Sequence, residues 1–332
     1  MIKKFFLLVL IFSFHSAFAE TVFSLRPSFS FYTGQQSEYV FCKYTDANEN
    51  LEQAKLSELD WEQKALLLFG LDFFWKTKHV VWSSGFKFAV PVYSGLMVDS
   101  DWKNVVFLPA VPLDKASIKT NYTESKNKTN FVLELGGGFS YNIVDWPNFT
   151  LSAFLDFDYT YNSMAAWGLY GKYNDKTKDS DGFYRAWNDV GGRTVNYPES
   201  QKTVGLDRHW AILWLGLGMS GADENKVAFD FSFAVSPFAF AASIDNHYER
   251  SLVFVDLLYG FFNAGKIAVS LGCNVTEKSS LKIFADFRGS LVMKGVSYIG
   301  YAGENDFALD TVDVPGADFK SIEAGISYTH RF

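Results

Sequence analysis

Cysteine is nearly absent from this chain: Cys42 and Cys273 are the only two in 332 residues. One possible bridge makes no disulfide framework, and two thiols make no thiolate metal cluster. Histidine is scarce as well, at five; none sits in an H-E-x-x-H or comparable metal-ligand spacing, and no G-x-S-x-G elbow or phosphate-binding loop occurs. Basic tracts are missing too. Lys3-Lys4 is the one pair of adjacent basic residues, and 30 Lys plus Arg against 37 Asp plus Glu leave a formal net charge of −7. That balance argues against nucleic acid as the main partner and favours cationic ligands or substrates. After the first few residues no apolar run approaches the roughly 20 residues of a membrane-spanning helix.

Aromatic residues are abundant, at 18%, yet the mean hydropathy is only −0.01, so they must be interleaved with polar residues rather than gathered in runs. The first nineteen residues read as a secretory signal peptide. Lys3 and Lys4 precede an apolar run from Phe5 to Phe14, and Ala17-Phe18-Ala19 supplies the small residues of a signal peptidase site, which leaves a single unit over residues 20–332. An exported chain without a spanning helix is either soluble or a membrane β-barrel.

Period-two patterning favours the barrel. Phe131, Leu133, Leu135, Gly137, Phe139, Tyr141 and Ile143 share one strand face, against Val132, Glu134, Gly136, Gly138, Ser140 and Asn142 on the other. The pattern repeats at Val227 to Val235 and at Leu281 to Phe287. Such runs exceed the roughly 5 to 6 residues of a typical sandwich strand and reach the ~9 to 11 that a tilted strand needs to cross a bilayer. Glu134, Asp286 and Arg288 would then face the barrel interior. Short joints at Trp75 to Lys78, Val144 to Asn148, Gly221 to Asn225 and Asn274 to Ser279 alternate with long polar segments at Asp46 to Lys55, Gly95 to Lys128, Leu169 to Lys202, Asp245 to Ser251 and Gly300 to Asp318. That alternation predicts ten antiparallel strands with the long loops outside. The final strand alternates Ile322, Ala324, Ile326, Tyr328, His330 into a C-terminal Phe332. Cys42 and Cys273 fall at opposite rims and are expected to be free thiols.

A barrel alone specifies no function, so chemistry must be sought at the loop mouths. His79, His209 and His330 read as structural. His247 differs, because Asp245 shares its strand face at i−2, where a carboxylate can orient the imidazole for general-base work. Asp99 and Asp101 likewise share a face, and two close carboxylates raise one pKa and can grip a water. In a ten-stranded barrel the loops after the third and seventh strands face one another across the same mouth.

Ser57-x-Leu59-Asp60-Trp61, then Gly95-x-Met97-Val98-Asp99-x-Asp101-Trp102, then Asp245-x-His247-Tyr248 resemble, in order and spacing, the omptin family of outer-membrane proteases. The resemblance implies a ten-stranded barrel in the outer membrane with a groove facing the exterior. Peptide bonds, preferentially near basic residues, would be cut there by water held between the Asp99/Asp101 pair and the Asp245/His247 dyad. It implies no covalent intermediate, no metal and no cofactor. Two positions bear on specificity. Glu38 matches the acidic residue that omptins carry late in the first strand, whereas Ser243 stands where a second acid is found, so the expected preference for basic residues is relaxed. The family's basic lipopolysaccharide face has no counterpart in Phe157-Asp158-Tyr159-Thr160-Tyr161. The expected partners are peptide or protein substrates, host proteins among them, and outer-membrane lipid, with the chain acting as a monomer. Two other readings stay open on the same scaffold: a surface barrel without chemistry, serving as an adhesin or binding protein, and a small pore.

Overall fold

The computed structural model describes residues 21–223, 227–304 and 306–332; the signal segment at 1–19 lies outside the described residues. The chain forms β1 (Val22–Thr45), β2 (Leu51–Lys76), β3 (Val80–Ala89), β4 (Val92–Asp101), β5 (Asn121–Trp146), β6 (Phe149–Tyr173), β7 (Arg193–Ala222), β8 (Val227–His247), β9 (Leu252–Gly260), β10 (Ala264–Asn274), β11 (Ser279–Ser290), β12 (Met293–Tyr301), β13 (Ala308–Leu309) and β14 (Asp313–Arg331). Neighbours pair antiparallel throughout, and β14 returns to β1, from Ser24↔Arg331 to Cys42↔Asp313, to close the ring. No helix among the described residues is long and apolar enough to cross a membrane.

The sheet has fourteen strands, not the ten expected from the loops. The excess has local causes. β3 and β4 lie end to end against β2 and β5, separated where Pro91 has no N–H to give the ladder. β9 and β10 run along β8, divided where Phe262 adopts a positive φ of 52°. β11 and β12 are parted at Leu291-Val292, against that same break, and β13 is a two-residue strand within a loop.

Strand length is the second departure. Much of the segments Gly95–Lys128 and Leu169–Lys202, read as loops, belongs to β4, β5, β6 and β7. The 26 residues of β5, at ~3.3 Å each and tilted by ~40°, rise about 65 Å, roughly twice a ~30 Å hydrocarbon core. Above the membrane both faces are polar, so no apolar alternation marks the strand. There Asn121, Thr123, Ser125, Asn127 and Thr129 are buried toward the lumen while Glu124, Lys126 and Lys128 turn outward. Lower down the apolar alternation is as expected, with Phe131, Leu135, Phe139, Tyr141 and Ile143 exposed on the outer face.

The lower lumen is held by charges from facing strands. Arg288 on β11 contacts Asp286 at 2.8 Å, Glu134 at 3.3 Å and Glu323 at 3.7 Å, and Lys87 pairs with Glu323 at 2.7 Å. A cavity of about 520 Å³ lies among these groups. Above it, Trp210 Nε1 on β7 donates to Gln36 on β1, Gln36 to Gln63 on β2, and Gln63 to Asn162 on β6. This buried chain crosses the lumen from wall to wall. Arg288→Ala would strand several buried carboxylates at once. It is expected to destabilise the barrel by about 3 to 5 kcal/mol, read as a lowered midpoint of the heat-modifiable gel shift.

The start of β1 and the C-terminal residue lie together at the rim of the short turns, where Phe332 N–H bonds Phe23 O and Arg331 N–H bonds Lys278 O. Cys42, buried in the upper barrel, and the exposed Cys273 beside the turn after β10 are both free. At the far rim the connection after β4 folds back on the wall: Val105, Val111 and Ala116 pack with Cys42. Buried Asn104 fastens that loop to the next, its amide donating to Tyr184 O at 2.9 Å while its oxygen accepts from Tyr184 N–H at 2.8 Å.

Candidate active site

The upper end of β4 begins with a bulge. At Gly95 φ is +126°, and a Cβ there would meet Glu62 Cβ at 2.8 Å, so only glycine fits. Beyond it Met97, Asp99 and Asp101 pair with Trp61, Leu59 and Ser57 of β2. Asn121 Nδ2 donates to Asp101 at 2.7 Å, and Lys103 Nζ stands 3.4 Å from the same oxygen. These carboxylates lie opposite Asn121 and Thr123 at the upper end of β5, beyond the reach of a ~30 Å hydrocarbon core. Desolvation in the wall, then the neighbouring Asp101 carboxylate, push Asp99 up to about 8, against the pull of Lys103 and Arg250. An Asp99 proton is therefore retained at neutral pH.

β8 ends at the same height. Asp245 and His247 pair with Leu206 and Val204 of β7 and with Phe254 and Leu252 of β9. His247 Nε2 and Asp245 Oδ2 are 2.6 Å apart, and the ring meets Phe254 edge-on at 5.3 Å. Arg250, in the short 3-10 turn Tyr248–Arg250, reaches back to His247 Nδ1. A guanidinium can only donate, so Nδ1 accepts and the ring proton resides on Nε2, facing Asp245. The other Asp245 oxygen, Oδ1, is buried and has no hydrogen-bond partner among the described residues. Asp99 feels the charges of both Arg250 and Asp245, so the pairs from β4 and β8 meet across the mouth, as their places in the ring imply.

One layer below, Glu38 and Ser243 also come together, through a residue that the sequence reading passed over. Arg208 of β7 extends across the lumen; its Nη2 lies 2.9 Å from Glu38 Oε1, its Nε donates to Ser243 Oγ at 3.0 Å, and its Nη1 donates to Ser37 O at 3.0 Å. Trp61 Nε1 holds the other Glu38 oxygen at 2.8 Å. Burial, then the charge of Asp245, pushes Glu38 upward, opposed by Arg208. Asp256, the register partner of Ser243 on β9, is pushed up to about 6, by burial first and further by Asp245. Around these layers Leu59, Trp61, Met97, Met164, Ala166, Val204 and Leu206 form a buried apolar cluster.

The remaining histidines make local contacts: His209 Nδ1 with Tyr159 OH at 2.7 Å, His330 Nδ1 with Ser279 at 3.1 Å, and His79 against the Tyr141 ring. Of Phe157 to Tyr161, Asp158 turns inward to Trp214 and Lys266, while Tyr161 pairs with Asp207. Among the described residues no group of His, Cys, Asp and Glu is arranged to hold a metal. Of the residues missed, Arg250 carried a faint signal as a cation three positions after His247, whereas Arg208 and Asp256 carried none.

Comparison with known proteins agrees with the fold. The crystal structure of the outer-membrane protease OmpT from Escherichia coli superposes with a TM-score of 0.76 at 16% identity, over 94% of this chain and 97% of that one. Far weaker matches are the toluene transporter TodX of P. putida (TM-score 0.30, 11% identity, 95% and 91% covered) and the autotransporter NalP translocator domain of Neisseria meningitidis (0.33, 9%, 93% and 88%). No curated protein matches by sequence. A family model described as the Omptin family matches residues 19–329, nearly the whole chain, and the protein belongs to the omptin family.

Proposed function

We propose that this chain is an outer-membrane endopeptidase of aspartic type, with its groove at the long-loop rim facing the exterior. One observation carries the reading: an imidazole fixed by a carboxylate at 2.6 Å faces the carboxyl pair of Asp99 and Asp101, in which burial and the Asp101 charge push Asp99 up to about 8. These are the two halves of an apparatus for activating water. Once an incoming peptide draws Arg250 aside, His247 Nδ1 takes a proton from a water gripped by Asp99 and Asp101. The hydroxide oxygen bonds the scissile carbonyl carbon. Protonated Asp99 donates to the developing oxyanion, Asp245 steadies the imidazolium, and His247 then gives its proton to the leaving nitrogen as the C–N bond breaks. The site residues of this reading are Asp99, Asp101, Asp245 and His247 for chemistry and Glu38 and Ser243 for the substrate side chain, with a relaxed preference for basic residues. The exterior orientation is supported by the opposite rim, which holds the start of β1, Phe332 and the short turns.

The refolded full-length barrel should cut a peptide library into fragments visible by mass spectrometry. It should show no unitary conductance in planar bilayers, because buried side chains bridge the lumen. An intact library with a folded barrel rejects the protease reading, and steady ion conductance favours the pore. A pH limit follows from Asp99. Its proton is needed and is lost as pH rises through about 8, so kcat/KM should fall on the alkaline side of that value, about tenfold per pH unit. A profile flat to pH 10 would separate the reaction from Asp99.

A further inference from the structure

Arg208 is unusual for its surroundings as much as for its burial. Its side chain is fully buried, at 0% exposure, and its hydrogen-bond and ion-pair partners lie on other strands. Glu38 and the Ser37 carbonyl belong to β1, across the lumen, and Ser243 belongs to β8. Glu38 contacts this guanidinium, Asp256 senses its charge, and Asp245 in turn acts on both Glu38 and Asp256. The Trp210 ring lies 5.9 Å from the guanidinium carbon, and Trp61 fixes the far oxygen of Glu38. A recess walled by carboxylates, a serine hydroxyl, a backbone carbonyl and indoles is complementary to a planar cation that donates in several directions at once. By register it sits one step below the dyad, Arg208↔Ser243 next to Leu206↔Asp245, where a side chain flanking a scissile bond could descend.

We propose that Arg208 is a specificity-determining residue: it fills, with the chain's own guanidinium, the acidic recess beside the dyad in which a substrate's basic side chain would otherwise lodge. The inference rests on the protease reading and explains its relaxed preference. Glu38 is present and yet already engaged, so a substrate Arg cannot pair with it, and peptides with neutral residues there are cut about as well. An isolated charge in this layer would be costly, which is why the recess keeps one cation against its acids.

The test uses the refolded full-length barrel. In wild type, kcat/KM for matched peptides with Arg, Lys, Gln or Leu before the scissile bond should agree within about tenfold; a hundredfold preference for Arg would overturn the proposal, because it would require an unoccupied acidic pocket. Arg208→Ala, refolded with ethylguanidinium to hold the acids and then dialysed, should raise the Arg-to-Gln ratio at least tenfold over wild type. Its thermal midpoint should rise with millimolar agmatine, while that of wild type does not move. A folded variant with no agmatine response and an unchanged ratio contradicts the proposal. The double variant Glu38→Gln with Arg208→Met, which removes both charges and guards against misfolding of the single variant, should show neither the agmatine response nor the new preference; a response there would also overturn it. The agmatine shift does not depend on turnover, so an inactive wild type would reject the protease reading and still leave the recess decided.

Discussion

His247→Ala is expected to lower kcat/KM by about three orders of magnitude or more, the usual worth of a general base acting within a cooperative set. The barrel should remain folded. The imidazole stands at the end of β8, where it contacts Asp245, Arg250 and the Phe254 edge, so its loss opens no cavity deep in the barrel. Heat-modifiable migration should be retained in the variant while peptide cleavage disappears. Near wild-type turnover in a folded His247→Ala barrel would remove the dyad from the mechanism.

Asp99→Asn should abolish cleavage to a comparable degree and alter stability in the opposite sense. The folded-state value of about 8 lies above the ordinary value of 3.8, so the folded protein holds this proton more tightly than the unfolded chain does. Its favourable contribution is complete below the unfolded value and is lost as pH rises through the folded one. At pH 9 the wild-type barrel keeps a desolvated carboxylate beside Asp101, and asparagine does not. Each pKa unit corresponds to about 1.4 kcal/mol, so even partial solvent screening leaves a gain on the order of 2 kcal/mol for the variant. Thermal midpoints should therefore diverge in favour of Asp99→Asn between pH 5 and pH 9. Parallel curves would mean that Asp99 is ionised throughout.

Class, closure and the two candidate pairs, Asp99/Asp101 and Asp245/His247, were legible because each leaves a local mark. Apolar alternation from Phe131 to Ile143 has the period of a strand facing lipid, and Asp-x-Asp and Asp-x-His place two polar groups on one strand face. The upper strands left no such mark. In Asn121 to Thr129 the alternation is small polar against charged, which a hydrophobic pattern does not register. The breaks at Pro91, Phe262 and Leu291-Val292 multiplied the strands without changing which neighbours pair. Arg208 was illegible for a different reason. Its partner Glu38 lies on a strand that does not adjoin its own, and only closure of the ring brings them to 2.9 Å. Beside His209 and Trp210 in the sequence it is one basic residue in a strand. Asp256 is similar, since its place in the site depends on the β8–β9 register opposite Ser243. Contacts across a lumen follow from three-dimensional closure, and no sequence period encodes them.

In the proposed mechanism two pairs of residues from opposite walls act on one water. A double-mutant cycle in single-turnover peptide cleavage, with His247→Ala, Asp99→Asn and the two combined in folded barrels, measures this directly. Groups that act as a unit lose most of their effect together, so the combined variant should be within about tenfold of the worse single variant. Losses that multiply, each variant contributing its full factor independently, would show that the β4 carboxylates and the β8 dyad do not serve the same step.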